Sequence, residues 1–142
     1  MKKLATFIII NILIFNSHVF ASSQKYFDEA LSFYNEGKMD EATFLFEKSA
    51  VFNPKNTESY VYLGYLNKEL ENLEKANHYF IIALTLQPDN LELNYLVGEY
   101  FYNNKDNDSY NEYVSNLEIL CPDGCEYLDP VSYTHLTLPT KA

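Results

Sequence analysis

Basic residues are scarce in this chain: 10 lysines and arginines stand against 20 acids, a formal charge of −10 over 142 residues. A surface that tracks phosphates needs the opposite sign, so nucleic acid is not an expected partner. Only four glycines occur and none cluster, which leaves no loop able to cradle a phosphate. Of three histidines, His18 lies near the amino end, His135 lies in the last dozen residues, and His78 stands between Asn77 and Tyr79 and reads as a surface or packing residue. With that one histidine and no serine, cysteine or carboxylate pair at a recognisable spacing, neither a triad nor a dyad can be assembled. No catalytic residue is expected, and the chain is not read as an enzyme. The two cysteines, Cys121 and Cys125, have no further ligands around them, so no metal site and no cofactor are expected. Apolar runs are short too: the longest, LATFIIINILIF at 4–15, falls below the ~20 residues that span a bilayer.

What is present predicts a folded chain. Hydrophobic residues make up 47% and aromatics 16%, too much for ordinary disorder, and the length suits one domain. The amino end reads as a secretory signal peptide: Lys2 and Lys3 form a positive head, the 4–15 run follows, and Val19 and Ala21 supply residues for cleavage after Ala21. Asn16 and His18 interrupt any extension into an anchor, and no cysteine follows for lipidation. The expectation is a signal peptide over 1–21 and a mature protein in the periplasm or secreted, with no stable membrane insertion after cleavage. Such a compartment is oxidising.

A short turn recurs along the remainder. FNPKN at 52–56, LQPDN at 86–90 and LCPDG at 120–124 place prolines at 54, 88 and 122, two intervals of 34 residues. The same offset relates other positions. Ala30, Gly64 and Gly98 are small; Ala42 and Ala76 are small, with Tyr110 third; Phe46, Phe80 and Val114 are apolar, as are Phe52, Leu86 and Leu120; Ser49 and Ala83 are small again, with Leu117 third. Small residues in the middle of paired helices let backbones approach, large apolar residues fill the seam, and a proline just past the second helix forbids its continuation. Asn56 and Thr57, and again Asp89 and Asn90, can accept bonds from the amides that open the next helix. Helices are predicted over 25–36, 39–52, 57–70, 73–86, 91–103 and 107–120.

These residues resemble the tetratricopeptide repeat (TPR). YVYLGYL at 60–66 is similar to the family's opening, and EKANHYFIIALTLQP at 74–88 and GKMDEATFLFEKSAVFNP at 37–54 are similar to its second helix. Departures occur at Glu29, where Leu63 and Val97 sit one and two repeats on, at Asn67, where the other repeats carry Phe33 and Phe101, and at Asn94, Tyr110 and Leu117 of the third repeat. The resemblance implies an all-α α-solenoid of about three stacked antiparallel helix pairs in a right-handed superhelix. Repeats are assigned to 23–56, 57–90 and 91–124, with a fourth beginning at 125, inside a repeat domain over 22–130.

VSYTHLTLPTKA at 131–142 has no acid, abandons the helical period and resembles a translated sequencing-adapter tail. It is expected to be a non-native or disordered tail, and the natural gene is expected to continue past Pro130. Cys121 and Cys125 flank Pro122, Asp123 and Gly124; in an exported chain a structural disulfide is expected, with separate partners or free thiols the alternative. Spacing of C-x-x-x-C argues against a redox motif.

Binding remains. In the resembled family the first helix of each pair lines a concave groove, and its positions fall on Phe27, Leu31 and Tyr34, on Val61, Tyr65 and Lys68, and on Tyr95, Glu99 and Tyr102. Taken singly, each aromatic is accounted for by covering its helix pair; as a set with Tyr65, Tyr95, Glu99 and Tyr102 they predict a recognition surface for a peptide. The family's clamp for carboxyl-terminal peptides needs lysine and asparagine at several of these places, and only Lys68 resembles it, so that clamp is not expected. Residues 22–130 hold seven lysines against twenty acids, a charge of −13, which steers toward basic or apolar segments; a mere solubility role for the acids is the competing account. The expected function is an exported interaction module or scaffold holding a protein or peptide. The alternatives are a non-catalytic regulatory portion of a larger truncated polypeptide, and a structural spacer without a groove ligand.

Overall fold

The computed structural model describes residues 22–125, 127 and 128, and all regular structure among them is helical. The helices are α1 over 22–35, α2 (Met39–Phe52), α3 (Thr57–Glu69), α4 (Leu73–Leu86), α5 (Leu91–Asn103) and α6 (Asn107–Leu120). The predicted signal peptide at 1–21 and the tail at 131–142 lie outside the described residues, as does most of the fourth repeat. Two compact units divide the chain between Glu71 and Asn72, inside the second predicted repeat. Helices α1 to α3 belong to the first and α4 to α6 to the second.

The recurring proline has a local cause. Helices α2, α4 and α6 end at Phe52, Leu86 and Leu120, each two residues before a proline. A residue that precedes proline is pushed out of the helical region, and Asn53, Gln87 and Cys121 have φ/ψ of −137°/89°, −135°/74° and −127°/64°. Each turn is then closed the same way: the amides of Asn56, Asn90 and Gly124 donate to the carbonyls of Asn53, Gln87 and Cys121 at 2.9, 3.1 and 2.9 Å. The side chains of Asn56 and Asn90 accept from the amides of Ser59 at 3.4 Å and Leu93 at 3.0 Å, so one turn stops a helix and starts the next. Thr57 and Asp89 are not the capping residues. A third cap, Asp106 accepting from the Ser109 amide at 3.2 Å, opens α6.

The other set of turns shows a second repeat of conformation. Gly37, Glu71 and Lys105 follow α1, α3 and α5 at the same interval and have φ of 74°, 60° and 60°. Glycine adopts this left-handed conformation freely; a glutamate or lysine there is strained by about 1 kcal/mol.

In the first unit the helices lie antiparallel, since Ser23 meets Ser49 and Phe27 meets Phe46, while Ser59 meets Ser49 and Tyr62 meets Phe46. An aromatic cluster fills the centre: Phe46 stacks on Tyr62 with centroids 4.9 Å apart, and Phe27 stands edge-on to both at 5.5 and 5.8 Å. Next to it runs a buried hydroxyl network. Ser49 Oγ donates to the Ser23 carbonyl at 3.0 Å and accepts from Ser59 Oγ at 3.0 Å and Asn56 Nδ2 at 3.2 Å, while Ser23 Oγ donates to the Ser49 carbonyl at 3.0 Å. Ser49 thereby ties α1, α2 and the start of α3 together.

In the second unit α5 packs on both α4 and α6. A Cβ on Gly98 would come within 3.3 Å of Tyr113 Cβ, which is the close approach predicted for this small position. Phe101 stacks on Tyr113 at 5.7 Å and Tyr102 lies 5.6 Å from Tyr110. Three of the departures from the repeat pattern, Asn94, Asn67 and Tyr110, have local partners. Asn94 is fully buried and its amide donates to the carbonyls of Pro88 and Asn90 at 3.0 and 2.9 Å, fastening α5 to the preceding turn. Asn67 is likewise buried and donates to the Leu63 carbonyl at 2.7 Å. Tyr110, where two earlier repeats have alanine, is buried beside Tyr102. One seam assignment needs qualifying by position: Phe52 and Leu120, the last residues of their helices, are each 37% exposed, and Phe52 packs only at the edge of the first pair, its ring 5.3 Å from Tyr26 of α1.

Candidate functional site

Spacing puts the nine predicted groove residues on one face of each helix, because positions i, i+4 and i+7 lie within about 60° on a 3.6-residue turn. The structure treats them unequally. On α1, Phe27 is only 6% exposed and its ring is locked against Phe46 and Tyr62, so it is a core residue and cannot line a surface. This corrects its predicted place, and the reason is that α3 supplies Tyr62 over the same ring. Leu31 and Tyr34 are half-buried. The Tyr34 hydroxyl donates to Glu69 Oε1 on α3 at 2.9 Å, and its ring lies 5.3 Å from Tyr62. Burial, and then the bond to Glu69, hold its pKa above the ordinary phenol value, which keeps it a neutral donor at physiological pH.

On α3, Val61 and Tyr65 are half-buried and Lys68 is exposed in the last turn, where a cation complements the helix dipole. The first unit therefore brings Leu31, Tyr34, Val61, Tyr65 and Lys68 to the surface on two helices that Tyr34 and Glu69 bridge. In the second unit α5 carries Tyr95 and Glu99, both half-buried, and Tyr102, which is 41% exposed. Tyr95 lies 5.9 Å from Tyr127, a residue just past the Cys121–Cys125 turn that sequence reasoning did not place near the site. No signal in the sequence links the two, since they are 32 positions apart and the contact depends on the path after α6.

Cys121 and Cys125 are joined by a disulfide, with Cα atoms 5.8 Å apart. It closes the turn in which Gly124 takes a φ of 85°, and the Cys121 amide still caps α6 through the Leu117 carbonyl at 2.8 Å. Among the described residues no group of histidine, cysteine, aspartate and glutamate could hold a metal ion, and no helix is long and apolar enough to cross a membrane. The arrangement offers flat aromatic faces, phenol hydroxyls, the lysine Lys68 and two carboxylates, Glu69 and Glu99.

Six helices with this register define a class: an all-α helical-repeat protein with the TPR-like fold. No protein-family model matches the chain and no curated protein matches it. Solved structures do. The first TPR of Spaghetti (RPAP3), bound to the HSP90 peptide SRMEEVD, is similar at a TM-score of 0.69 and 14% identity, over 84% of this chain and 95% of that one. The Arabidopsis OM64 TPR domain gives 0.69 at 12% identity, over 84% and 99%. A chain of the CopN–Scc3 complex gives 0.64 at 14% identity, over 78% of this chain and 65% of that one. At these identities the likeness is one of fold.

Proposed function

We propose that the chain is an exported interaction module or scaffold that holds a peptide or partner protein through the aromatic faces of α1, α3 and α5. One observation carries this reading: on a fold shared with a peptide-bound TPR domain, the i, i+4, i+7 faces keep Leu31, Tyr34, Val61, Tyr65, Tyr95 and Tyr102 at least partly in solvent. Tyrosine contributes large contact area at low entropic cost, which favours binding over catalysis. The peptide in the Spaghetti complex is acidic; here only Lys68 supplies a cation on these faces, and the charge of −13 over 22–130 favours basic or apolar segments instead. Export rests on the residues of 1–21, and the natural chain is proposed to run on past Pro130.

The test is selection of random peptides on the purified protein. Enriched sequences should be rich in lysine, arginine and aromatics. Their binding should fall at least tenfold in the combined variant Tyr65→Ala, Tyr95→Ala, Tyr102→Ala with its helical circular dichroism retained. Unchanged binding would leave the spacer reading in its place.

A further inference from the structure

The third turn differs from the first two at the residue that directs the chain out of it. In the first two, Asn56 and Asn90 have φ of −76° and −75°, and their side chains hold the amides of Ser59 and Leu93. Gly124 and Tyr127 stand 34 positions after Asn90 and Leu93. Gly124 has φ of 85° and no side chain to accept a bond, so the chain leaves this turn in another direction and without the cap of the earlier turns. Cysteines flank it instead. Their disulfide fixes the Cα of Cys125 5.8 Å from that of Cys121, whose own amide is bonded to Leu117 of α6. A further turn follows, in which the Leu128 amide donates to the Cys125 carbonyl at 3.0 Å, and the Tyr127 ring comes to lie 5.9 Å from that of Tyr95 on α5, inclined to it by 45°.

On the proposed reading of α5 as a binding face, we infer that Tyr127 belongs to that face, held there by the Cys121–Cys125 bond, and that the Tyr95–Tyr127 pair receives an arginine side chain of the bound segment. Tyr127 extends the face and does not close it. Phe27, at the place of Tyr95 in the first repeat, is locked into the core by the rings of Phe46 and Tyr62; Tyr95 meets Tyr127 at a tilt and both stay half-buried, so each keeps ring area in solvent. Ser59 and Leu93, at the place of Tyr127 in the earlier repeats, are buried, so the altered exit from the third turn brings to the surface a position that the repeat otherwise hides. Charge selects the occupant. Helix α5 carries Glu92 and Glu99, three positions before Tyr95 and four after it, and no basic residue; side chains at these spacings are neighbours on a helix. A guanidinium is planar, lies flat on aromatic rings and pairs with carboxylates through its edge, so one arginine uses both features. Lysine's compact, strongly hydrated ammonium uses mainly the charge, and an acidic segment meets two like charges.

Two readouts on the full chain test this. Without peptide, the ring-proton NMR signals of Tyr95 are compared in the oxidised protein, in the oxidised Tyr127→Ala variant, and after dithiothreitol, which takes Cys121 and Cys125 to thiols and leaves as its own cyclic disulfide. Reduction should move the Tyr95 signals toward their positions in Tyr127→Ala, with helical circular dichroism retained. Tyr95 signals that ignore reduction overturn the role of the disulfide. With acetylated hexa-arginine amide as the probe, Tyr127→Ala and reduction should each raise Kd at least about threefold, and reduction should add nothing to Tyr127→Ala. Tyr127→Phe should bind like the parent chain, and hexa-lysine should bind more weakly than hexa-arginine. Hexa-arginine binding that Tyr127→Ala leaves unchanged or tightens overturns the subsite. If Tyr95→Ala still weakens that binding, the face on α5 stands without Tyr127; if Tyr95→Ala also leaves it unchanged, the reading of α5 as a binding face falls too.

Discussion

Replacing Ser49 by alanine removes one oxygen from the centre of the first unit, and the loss can be worked through atom by atom. Ser49 Oγ is the acceptor for Ser59 Oγ at 3.0 Å and for Asn56 Nδ2 at 3.2 Å, and the donor to the Ser23 carbonyl at 3.0 Å. Ser23, Ser49 and Ser59 are all buried, so the Ser59 hydroxyl has no water to turn to, and an orphaned buried donor costs about 1 to 3 kcal/mol. Asn56 is only partly buried and recovers some of its bond from solvent. Alanine's better helix propensity returns about 0.5 kcal/mol. The net expectation for Ser49→Ala is a loss of about 1 to 3 kcal/mol, read as a lower midpoint in urea denaturation followed by circular dichroism, with the slope unchanged. The second unit shows what an apolar solution looks like: the positions corresponding to Ser49 and Ser59 are Ala83 and Leu93, both buried. Combining Ser49→Ala with Ser59→Ala should therefore cost at least about 1 kcal/mol less than the two single losses summed, since the second change removes the donor that the first orphans. A Ser49→Ala loss below about 0.5 kcal/mol, or additivity of the pair, would refute the claim that the hydroxyls act as one network.

Other consequences follow from the turns and the second unit. Glu71→Gly and Lys105→Gly each relieve a left-handed residue and should raise the unfolding free energy by up to about 1 kcal/mol, seen as a higher urea midpoint, whereas Gly37→Ala should lower it. Gly98→Val would drive a branched side chain toward Tyr113, whose Cβ would lie 3.3 Å from even a single added methyl, and should cost about 1 to 3 kcal/mol in thermal or urea unfolding. The Tyr110 pKa is pushed up to about 12 by burial and by the neighbouring Tyr102. Its folded pKa exceeds its unfolded one, so the unfolded chain loses the proton first, stability is retained below about pH 10 and falls as pH rises toward 12. Tyr110→Phe should flatten that fall in an alkaline denaturation series. Reducing the Cys121–Cys125 bond, which closes a five-residue loop, should lower the stability of the second unit by at most about 2 kcal/mol, and a Cys121→Ser, Cys125→Ser variant should make the protein insensitive to reductant.

The helices were legible because their limits are set locally. Pro54, Pro88 and Pro122 act on the residue just before them, and five of the six predicted helices agree with the structure to within one residue at either end; α1 is already helical at residue 22, earlier than the predicted 25. Asn56 and Asn90 were readable as caps for the same reason. The left-handed residues at Glu71 and Lys105 were not, since nothing in their side chains announces a positive φ and only their interval from Gly37 marks them. Long-range packing was least visible. The serine network joins Ser23 to Ser49 and Ser49 to Ser59, 26 and 10 positions apart, and small size was all that the pattern assigned to Ser49. Phe27 occupies a groove position by register yet is taken into the core by Phe46 and Tyr62, a result of which ring reaches it from the neighbouring helix.

Amide NMR with an enriched basic or aromatic peptide titrated into the isotope-labelled protein asks most directly where a partner is held. Saturable shifts are expected, concentrated at Leu31, Tyr34, Val61, Tyr65 and Lys68 and at Tyr95, Glu99 and Tyr102. Shifts confined to the outer faces of α2, α4 and α6, with those positions unmoved, would contradict binding on the aromatic faces.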